Sequence, residues 1–138
     1  MSAANRFAVV LATAPDMKVA RMLARRALSA RLAACVNIVP RIESHYWWKG
    51  RLEKSAEALL VMKTRRERLD SLRELVVAEH PYDTAEFIAM AVDSGSRKYL
   101  DWIAASVGVP ADAQSGRRAS TQRRKGRGVA QSGVKPAD

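Results

Sequence analysis

Residues 31–50 have the sequence RLAACVNIVPRIESHYWWKG, which predicts an extended segment longer than a small domain normally needs. The segment holds the only cysteine, two of the three tryptophans and one of the two histidines. Residues 33–39 are apolar and partly β-branched, which favours a strand, and extended character resumes over 42–48. Pro40 lacks a backbone donor, which indicates a bulge or a sheet edge, and Lys49-Gly50 forms the turn.

The rest of the chain supplies the elements that surround this hairpin. Hydrophobic periodicity predicts strands over 7–13, 57–64 and 86–92, and helices over 16–32, 66–79 and 99–107. The order β-α-β-β-α-β with a final helix is typical of an α+β, ferredoxin-like split βαβ fold. Right-handed crossovers then place both long helices on one face of a four-stranded antiparallel sheet.

The first and fourth predicted strands are apolar on both faces, as strands covered on two sides are. A chain of this size has only the short final helix left for the second face. We therefore predict that other subunits cover it. The long hairpin, with Tyr46, Trp47 and Trp48 near its tip, then forms an arm that pairs with a neighbouring subunit.

Half of the net charge of +10 lies in the last 31 residues, which hold seven Lys/Arg and two Asp. These residues contain no aromatic residue, Leu, Ile or Met, so they bury too little apolar surface to offset their ordering entropy. We predict one domain over 1–107 and a basic, disordered tail over 108–138. We expect no nucleic-acid partner apart from non-specific contact through this tail.

Several classes of protein are excluded by what the sequence lacks. There is no run of eighteen apolar residues, and the first six residues do not resemble a secretory signal, so we predict no membrane partner. A single cysteine forms no internal disulfide, which favours a cytoplasmic location. No nucleophile motif or phosphate-binding loop is present, so we predict that the protein is not an enzyme.

Six motifs resemble, in the same order, those of the CutA family of divalent-cation tolerance proteins. They are Ala12-Thr13-Ala14-Pro15, Leu32-Ala-Ala-Cys35-Val-Asn37-Ile-Val39, Ser44-x-Tyr46-x-Trp48-x-Gly50, Met62-Lys63-Thr64-Arg65, His80-Pro81-Tyr82 and Tyr99-Leu100-x-Trp102. The resemblance covers about residues 6–106. It implies a ferredoxin-like homotrimer, similar in architecture to the PII signalling proteins, with a role in tolerance to copper and other divalent metals. No cofactor is required on this hypothesis, and copper or another divalent cation is the ion bound.

The resemblance also implies an inter-subunit cleft. Its lining corresponds to Cys35, Tyr46, Trp48, Lys63, His80 and Glu86, to which we add Tyr82 from the His80-Pro81-Tyr82 motif. Asp83 and Ala85 depart from the family, which has Glu and Pro at these positions. We predict that Cys35, His80 and Glu86 form a metal site between subunits, because thiolate and imidazole suit copper better than calcium or magnesium.

Each candidate also has a structural interpretation. Cys35 can be a small buried hydrophobic residue, and His80 can cap the second helix. Glu86 can pair with Lys63, and the tryptophans can pack in an interface. His45 points away from Tyr46, towards solvent. The alternative function is a regulatory module that binds a small molecule or a partner protein in the cleft.

Overall fold

The computed structural model describes residues 6–108, and both chain ends lie outside this range. Its elements are β1 (Phe7–Ala14), α1 (Met17–Ser29), β2 (Cys35–Trp48), β3 (Arg51–Arg65), α2 (Leu69–Glu79), β4 (Ile88–Ala91) and α3 (Arg97–Ser106). A single 3-10 turn, Arg66–Arg68, precedes α2. The predicted α+β class and element order are confirmed, while the predicted tail lies almost entirely outside the described residues.

The four strands form one antiparallel sheet in the order β2-β3-β1-β4. Side chains alternate between the two faces of a strand, and directly paired residues share a face. One face carries Val10, Ala12, Leu60 and Met62, all fully buried beneath α1 and α2. Most of the core therefore lies between the sheet and these two helices.

Local sequence chemistry explains where α1 begins and how its end is fixed. Asp16 is the N-cap, and its side chain accepts a hydrogen bond of 2.9 Å from the backbone N–H of Val19. Leu23 is fully buried against the sheet. Beyond the helix, the hydroxyl of Thr64 on β3 donates to the carbonyl of Leu32 at 2.7 Å, which fixes the connection to β2 inside the core.

The predicted hairpin of long strands is confirmed, and it is paired as far as its tip. Trp48 pairs with Arg51 across Lys49 and Gly50, which both have positive φ, as a type I′ turn requires. The register shifts between Val39 and Ile42, so the bulge predicted at Pro40 is also confirmed. β2 lies at the edge of the sheet, where a residue without an N–H costs no sheet hydrogen bond.

β4 is shorter than the predicted strand over 86–92, and the reason lies in β1. The carbonyl of Phe7 points towards β4, because it accepts the N–H of Val92. Carbonyls alternate in direction along a strand, so the carbonyl of Thr13, six residues further on, points to the same side. That carbonyl instead accepts a 2.6 Å hydrogen bond from the ring of His80. The segment after α2 thus occupies the edge that β4 would need, and pairing with β1 begins only at Ile88.

The second face of the sheet, which we call the open face, is covered only at its two ends among the described residues. Its rows are Cys35–Lys63–Val9–Met90, Asn37–Val61–Leu11–Ile88 and Val39–Leu59–Thr13. Phe7, Ile103 and Val107 form a small core beneath α3 at one end. Between the ends, Ile88 is 53% exposed and Met90 is 45% exposed. The apolar second face predicted from the sequence is therefore present and largely uncovered in the single chain.

Candidate functional site

The thiol end of the open face is built by the first residue of β2. Cys35 lies in one row with Lys63, and its thiol donates to the side-chain oxygen of Asn37 at 3.6 Å. The same oxygen accepts a short hydrogen bond from the ammonium of Lys63. Strand alternation correctly predicted that Cys35 and Asn37 share a face, because they are two residues apart. We call Cys35, Asn37 and Lys63 the thiol cluster.

Helix α3 adds an aromatic wall to the thiol cluster. Burial and the neighbouring Cys35 thiol raise the pKa of Tyr99 above its usual value. The ring of Tyr99 packs on Trp102, one helical turn further along, with centroids 5.5 Å apart. Tyr99 is 42% exposed and Trp102 is 46% exposed. Cys35 is partly exposed on the open face, with the aromatic wall beside it.

The carboxylate end of the open face holds a buried acid that the sequence analysis did not single out. Glu57 on β3 is 4% exposed, and its carboxylate accepts a hydrogen bond of 3.0 Å from the hydroxyl of Tyr82. Burial, followed by this hydrogen bond to Glu57, raises the pKa of Tyr82 above its usual value near 10. The phenol is therefore held as a donor across the physiological pH range.

His80 fastens the same segment to the sheet. It is 7% exposed, and its Nδ1 accepts the backbone N–H of Tyr82 at 3.1 Å. That geometry places the ring hydrogen on Nε2, which donates to the carbonyl of Thr13 at 2.6 Å. The predicted position of His80 at the end of the second helix is confirmed, because His80 is the C-cap residue of α2. Both ring nitrogens are engaged, so a metal bound at His80 must displace one of these hydrogen bonds.

Thr13 is a second polar residue that the sequence analysis did not propose for the site. Its hydroxyl is buried and has no hydrogen-bond partner within the described range, 6–108. It lies on the open face in the row of Leu59, next to the row that leads to Glu57 along β3. A buried polar atom without a partner is uncommon in native structures, which draws attention to this end of the face.

A groove of about 270 Å³ lies between the hairpin tip and the segment before β4. Its lining residues are Tyr46, Trp47, Trp48, Thr84, Ala85 and Glu86. Tyr46, Trp48 and Glu86 therefore line the same groove within one chain. The pairing of the arm with a neighbouring subunit stays a prediction. The ammonium of Lys49 lies over the ring of Trp48, 5.8 Å from the ring centroid. His45 is exposed and contacts Glu43 at 2.9 Å, as expected for a solvent-facing residue.

The predicted metal residues do not meet within one chain. No group of three His, Cys, Asp or Glu side chains suited to a metal ion occurs among residues 6–108. Cys35 lies in the row of Val9, whereas His80 contacts Thr13, four residues further along β1. At about 3.3 Å per residue, this separation is about 13 Å along the strand. A site that combines Cys35, His80 and Glu86 between subunits stays a prediction.

One signal in the sequence pointed to Glu57. Strand β3 alternates Glu57, Leu59, Val61 and Lys63 on one face, so an acid lies beside the apolar part of this stripe. A carboxylate in such a position needs a buried partner. That partner, Tyr82, lies 25 residues further along the chain in an irregular segment, where periodicity gives no contact information.

Within residues 6–108, none of the helices has the length and apolar character that crossing a bilayer requires.

Comparison with known proteins agrees with the geometry. The family model described as "CutA1 divalent ion tolerance protein" matches residues 8–106. A curated relative, "Protein CutA 1, chloroplastic" of Oryza sativa, is 50% identical over 95 residues, which are 69% of this chain and 54% of that protein. The "Divalent-cation tolerance protein CutA" of Thermus thermophilus is 44% identical over 100 residues, which are 72% of this chain and 97% of that protein.

Solved structures give the same result. The crystal structure of CutA1 from Oryza sativa aligns with a TM-score of 0.74 at 46% identity, covering 78% of this chain and 98% of that chain. The Thermus thermophilus protein aligns with a TM-score of 0.72 at 43% identity, covering 74% of this chain and 99% of that chain. The chain spans about half the length of the rice and mouse relatives. The family model covers most of this chain, and the chain therefore belongs to the CutA1 divalent ion tolerance protein family.

Proposed function

We propose that this protein contributes to metal-ion tolerance by binding a divalent cation, copper in the first place, through the thiol cluster of a homotrimer. The observation that supports the proposal is the position of Cys35, partly exposed on the open face rather than sealed in the core. Thiolate sulfur is a soft ligand that suits copper. Family membership supplies the link to divalent ions.

The open face supplies the argument for assembly. It presents Val39, Ile88 and Met90, each more than 40% exposed, on a sheet whose other face packs against α1 and α2. A contiguous apolar surface of this kind is typical of an interface between proteins. In the proposed ferredoxin-like trimer, neighbouring copies cover this face and bring further ligands towards Cys35. Within residues 6–108, a single chain does not bring together three His, Cys, Asp or Glu side chains that could hold a metal ion.

The cytoplasmic location stays a prediction from the single cysteine. The rice relative carries a chloroplastic name, and the Archaeoglobus fulgidus structure is titled as a periplasmic protein. We also expect no catalytic activity, since the family is described by tolerance to divalent ions.

Copper titration of the full chain, purified without a histidine tag, tests the metal proposal. We expect saturable binding that Cys35→Ser weakens by about tenfold or more, because the soft ligand is lost. His45→Gln serves as the control, since it removes an exposed imidazole that the proposal does not use. Affinity should also fall at low pH, because the thiol must lose its proton to bind. Equal affinity in parent and Cys35→Ser would contradict the proposal.

His80→Ala and Glu86→Gln, measured in the same titration, test the remaining predicted ligands. If His80 ligates the ion, it must give up its hydrogen bond to Tyr82 or to Thr13. Weaker binding in His80→Ala with the trimer intact would support the three-ligand site between subunits. Unchanged binding would leave Cys35 as the ligand and His80 as a structural residue.

A further inference from the structure

The outer half of the hairpin carries two aromatic side chains on one face. Tyr46 and Trp48 are two residues apart on β2, so they share a face, and both are half-buried. The hydroxyl of Tyr46 donates to the hydroxyl of Ser55 on β3 at 3.3 Å, which fixes the position of the tyrosine ring. Both residues line the groove of about 270 Å³ whose other wall is segment 84–86. We call this space the aromatic groove.

The charges around the aromatic groove are mainly acidic. Glu86 is the charged residue among those that line it. Glu53 lies directly opposite Tyr46 on β3, and alternation places Glu57 on the same face four residues further along. Arg51 is the basic residue on this part of the face, and it is exposed beside the turn. Carboxylates next to aromatic rings create a negative potential, which attracts cations.

The ring of Trp48 already interacts with a cation of its own chain. The ammonium of Lys49 lies 5.8 Å from the ring centroid, within the distance of about 6 Å over which cation–π attraction is significant. Lys49 is exposed at the turn and makes no ion pair with another residue of the range 6–108. The ring therefore accepts an ammonium group, and Lys49 competes for it with any cation that enters the aromatic groove.

We propose that the aromatic groove binds a small, free alkylammonium ion, with the charge held between the ring of Trp48 and the carboxylate of Glu86. The volume lies just below the range of about 300–1,000 Å³ that is usual for small-molecule sites, so it suits a cation with few carbon atoms. The alkyl groups of such an ion contact the aromatic surface of Tyr46 and Trp48. A hard metal ion fits less well, because it needs several oxygen ligands and the lining supplies one carboxylate.

Isothermal titration calorimetry with the full chain tests the proposal. The probes are tetramethylammonium chloride and n-butylammonium chloride, with butanol as the uncharged counterpart, all at fixed ionic strength. The variants Trp48→Leu and Glu86→Gln each remove one proposed contact. Their matched controls are Trp102→Leu, at a tryptophan that is 46% exposed on α3, and Glu74→Gln, at an exposed carboxylate on α2. Circular dichroism and light scattering establish that each variant keeps the fold and the particle mass of the parent.

We expect saturable binding of both ammonium probes and no saturable binding of butanol. Trp48→Leu and Glu86→Gln should each weaken binding by about fivefold or more, because cation–π attraction or charge is lost, and the controls should match the parent. Lys49→Gln should bind the probes more tightly than the parent, because the competing ammonium is removed. This gain of affinity tests the proposal even if Trp48→Leu does not fold. Cys35→Ser should bind them as the parent does, since the aromatic groove contains no member of the thiol cluster.

Four results would overturn the proposal. They are the absence of ammonium binding, butanol binding as tight as that of butylammonium, Glu86→Gln equal to Glu74→Gln, and weaker binding in Lys49→Gln. Loss of ammonium binding in Cys35→Ser would also overturn it, because the cation would then bind at the thiol cluster. A failed copper titration leaves these outcomes unchanged, so the two proposals are tested separately.

Discussion

Two side chains, buried His80 and half-buried Tyr82, fasten the segment that follows α2 to the sheet. His80 reaches Thr13 on β1, and Tyr82 reaches Glu57 on β3. Their rings also lie against each other, with centroids 4.7 Å apart. This pair therefore attaches the segment that leads to Glu86 to β1 and β3.

Tyr82→Phe tests this fastening at the residue scale. The substitution removes the donor to a buried carboxylate, so we expect it to lower the free energy of unfolding by about 1–3 kcal/mol at neutral pH. Since folding raises the pKa of Tyr82, its contribution is full below about pH 10 and is lost as the pH rises further. The parent should therefore lose stability above pH 10 more steeply than Tyr82→Phe.

Urea unfolding at fixed protein concentration, at neutral pH and above about pH 10, measures both effects. Tyr99→Phe is the control at neutral pH, because its hydroxyl lies at a position that is 42% exposed. We expect the control to change stability by less than about 0.5 kcal/mol. If Tyr82→Phe matched the control at neutral pH, the hydrogen bond to Glu57 would contribute no stability.

At the residue scale, the sequence predicted best where side chains alternate regularly along a strand or where a local signal marks the end of a helix. The shared face of Cys35 and Asn37 followed from their spacing in a strand, and the capping position of His80 followed from the proline after it. The pairing of Tyr82 with Glu57 did not follow, because it joins a strand to an irregular segment. Long-range contacts of this kind depend on the path of a loop. Neither hydrophobic periodicity nor secondary-structure propensity specifies that path.

At the scale of elements, the β2–β3 hairpin is the longest feature of the fold. It is paired from the row of Cys35 to the turn at Lys49 and Gly50, interrupted by one bulge. The sequence signals for the turn and the bulge were local, namely Gly50 and Pro40, and both were correct. The start of β4 was not predictable, because it depends on the carbonyl of Thr13 being taken by a distant histidine.

The turn residues offer a clean test of hairpin stability. Gly50 has φ of +78°, and a Cβ placed there would meet nothing within 4 Å. Gly50→Ala should therefore cost about 1–2 kcal/mol from backbone conformation alone. Lys49→Asn should stabilise the hairpin by a few tenths of a kcal/mol, because asparagine favours the first position of a type I′ turn. Thermal unfolding of the two variants beside the parent measures the shifts. An unchanged or higher melting temperature in Gly50→Ala would contradict the assigned turn.

At the scale of the whole molecule, the two faces of the sheet have opposite roles. One face is sealed by α1 and α2 over a continuous core. The other presents an apolar floor with the thiol cluster near one end and the carboxylate of Glu57 near the other. In the proposed trimer, neighbouring copies cover that floor and complete the proposed metal site.

One double variant and one single control distinguish loss of assembly from the general effect of replacing an exposed apolar residue by a charge. Ile88→Lys/Met90→Lys places charge on the open face, where both native side chains are exposed in the single chain. Val77→Lys is the control, because Val77 is 48% exposed on α2, away from the open face. We expect the double variant to dissociate and the control to retain the parent mass, since burying unpaired charge in an interface is costly.

The most direct test of the central claim is the mass of the full chain in solution. Light scattering at micromolar concentration should give about three times the chain mass of 15.2 kDa for the parent and for Val77→Lys. The same measurement should give a smaller particle for Ile88→Lys/Met90→Lys. A parent that is folded and stable at the mass of one chain would contradict the account.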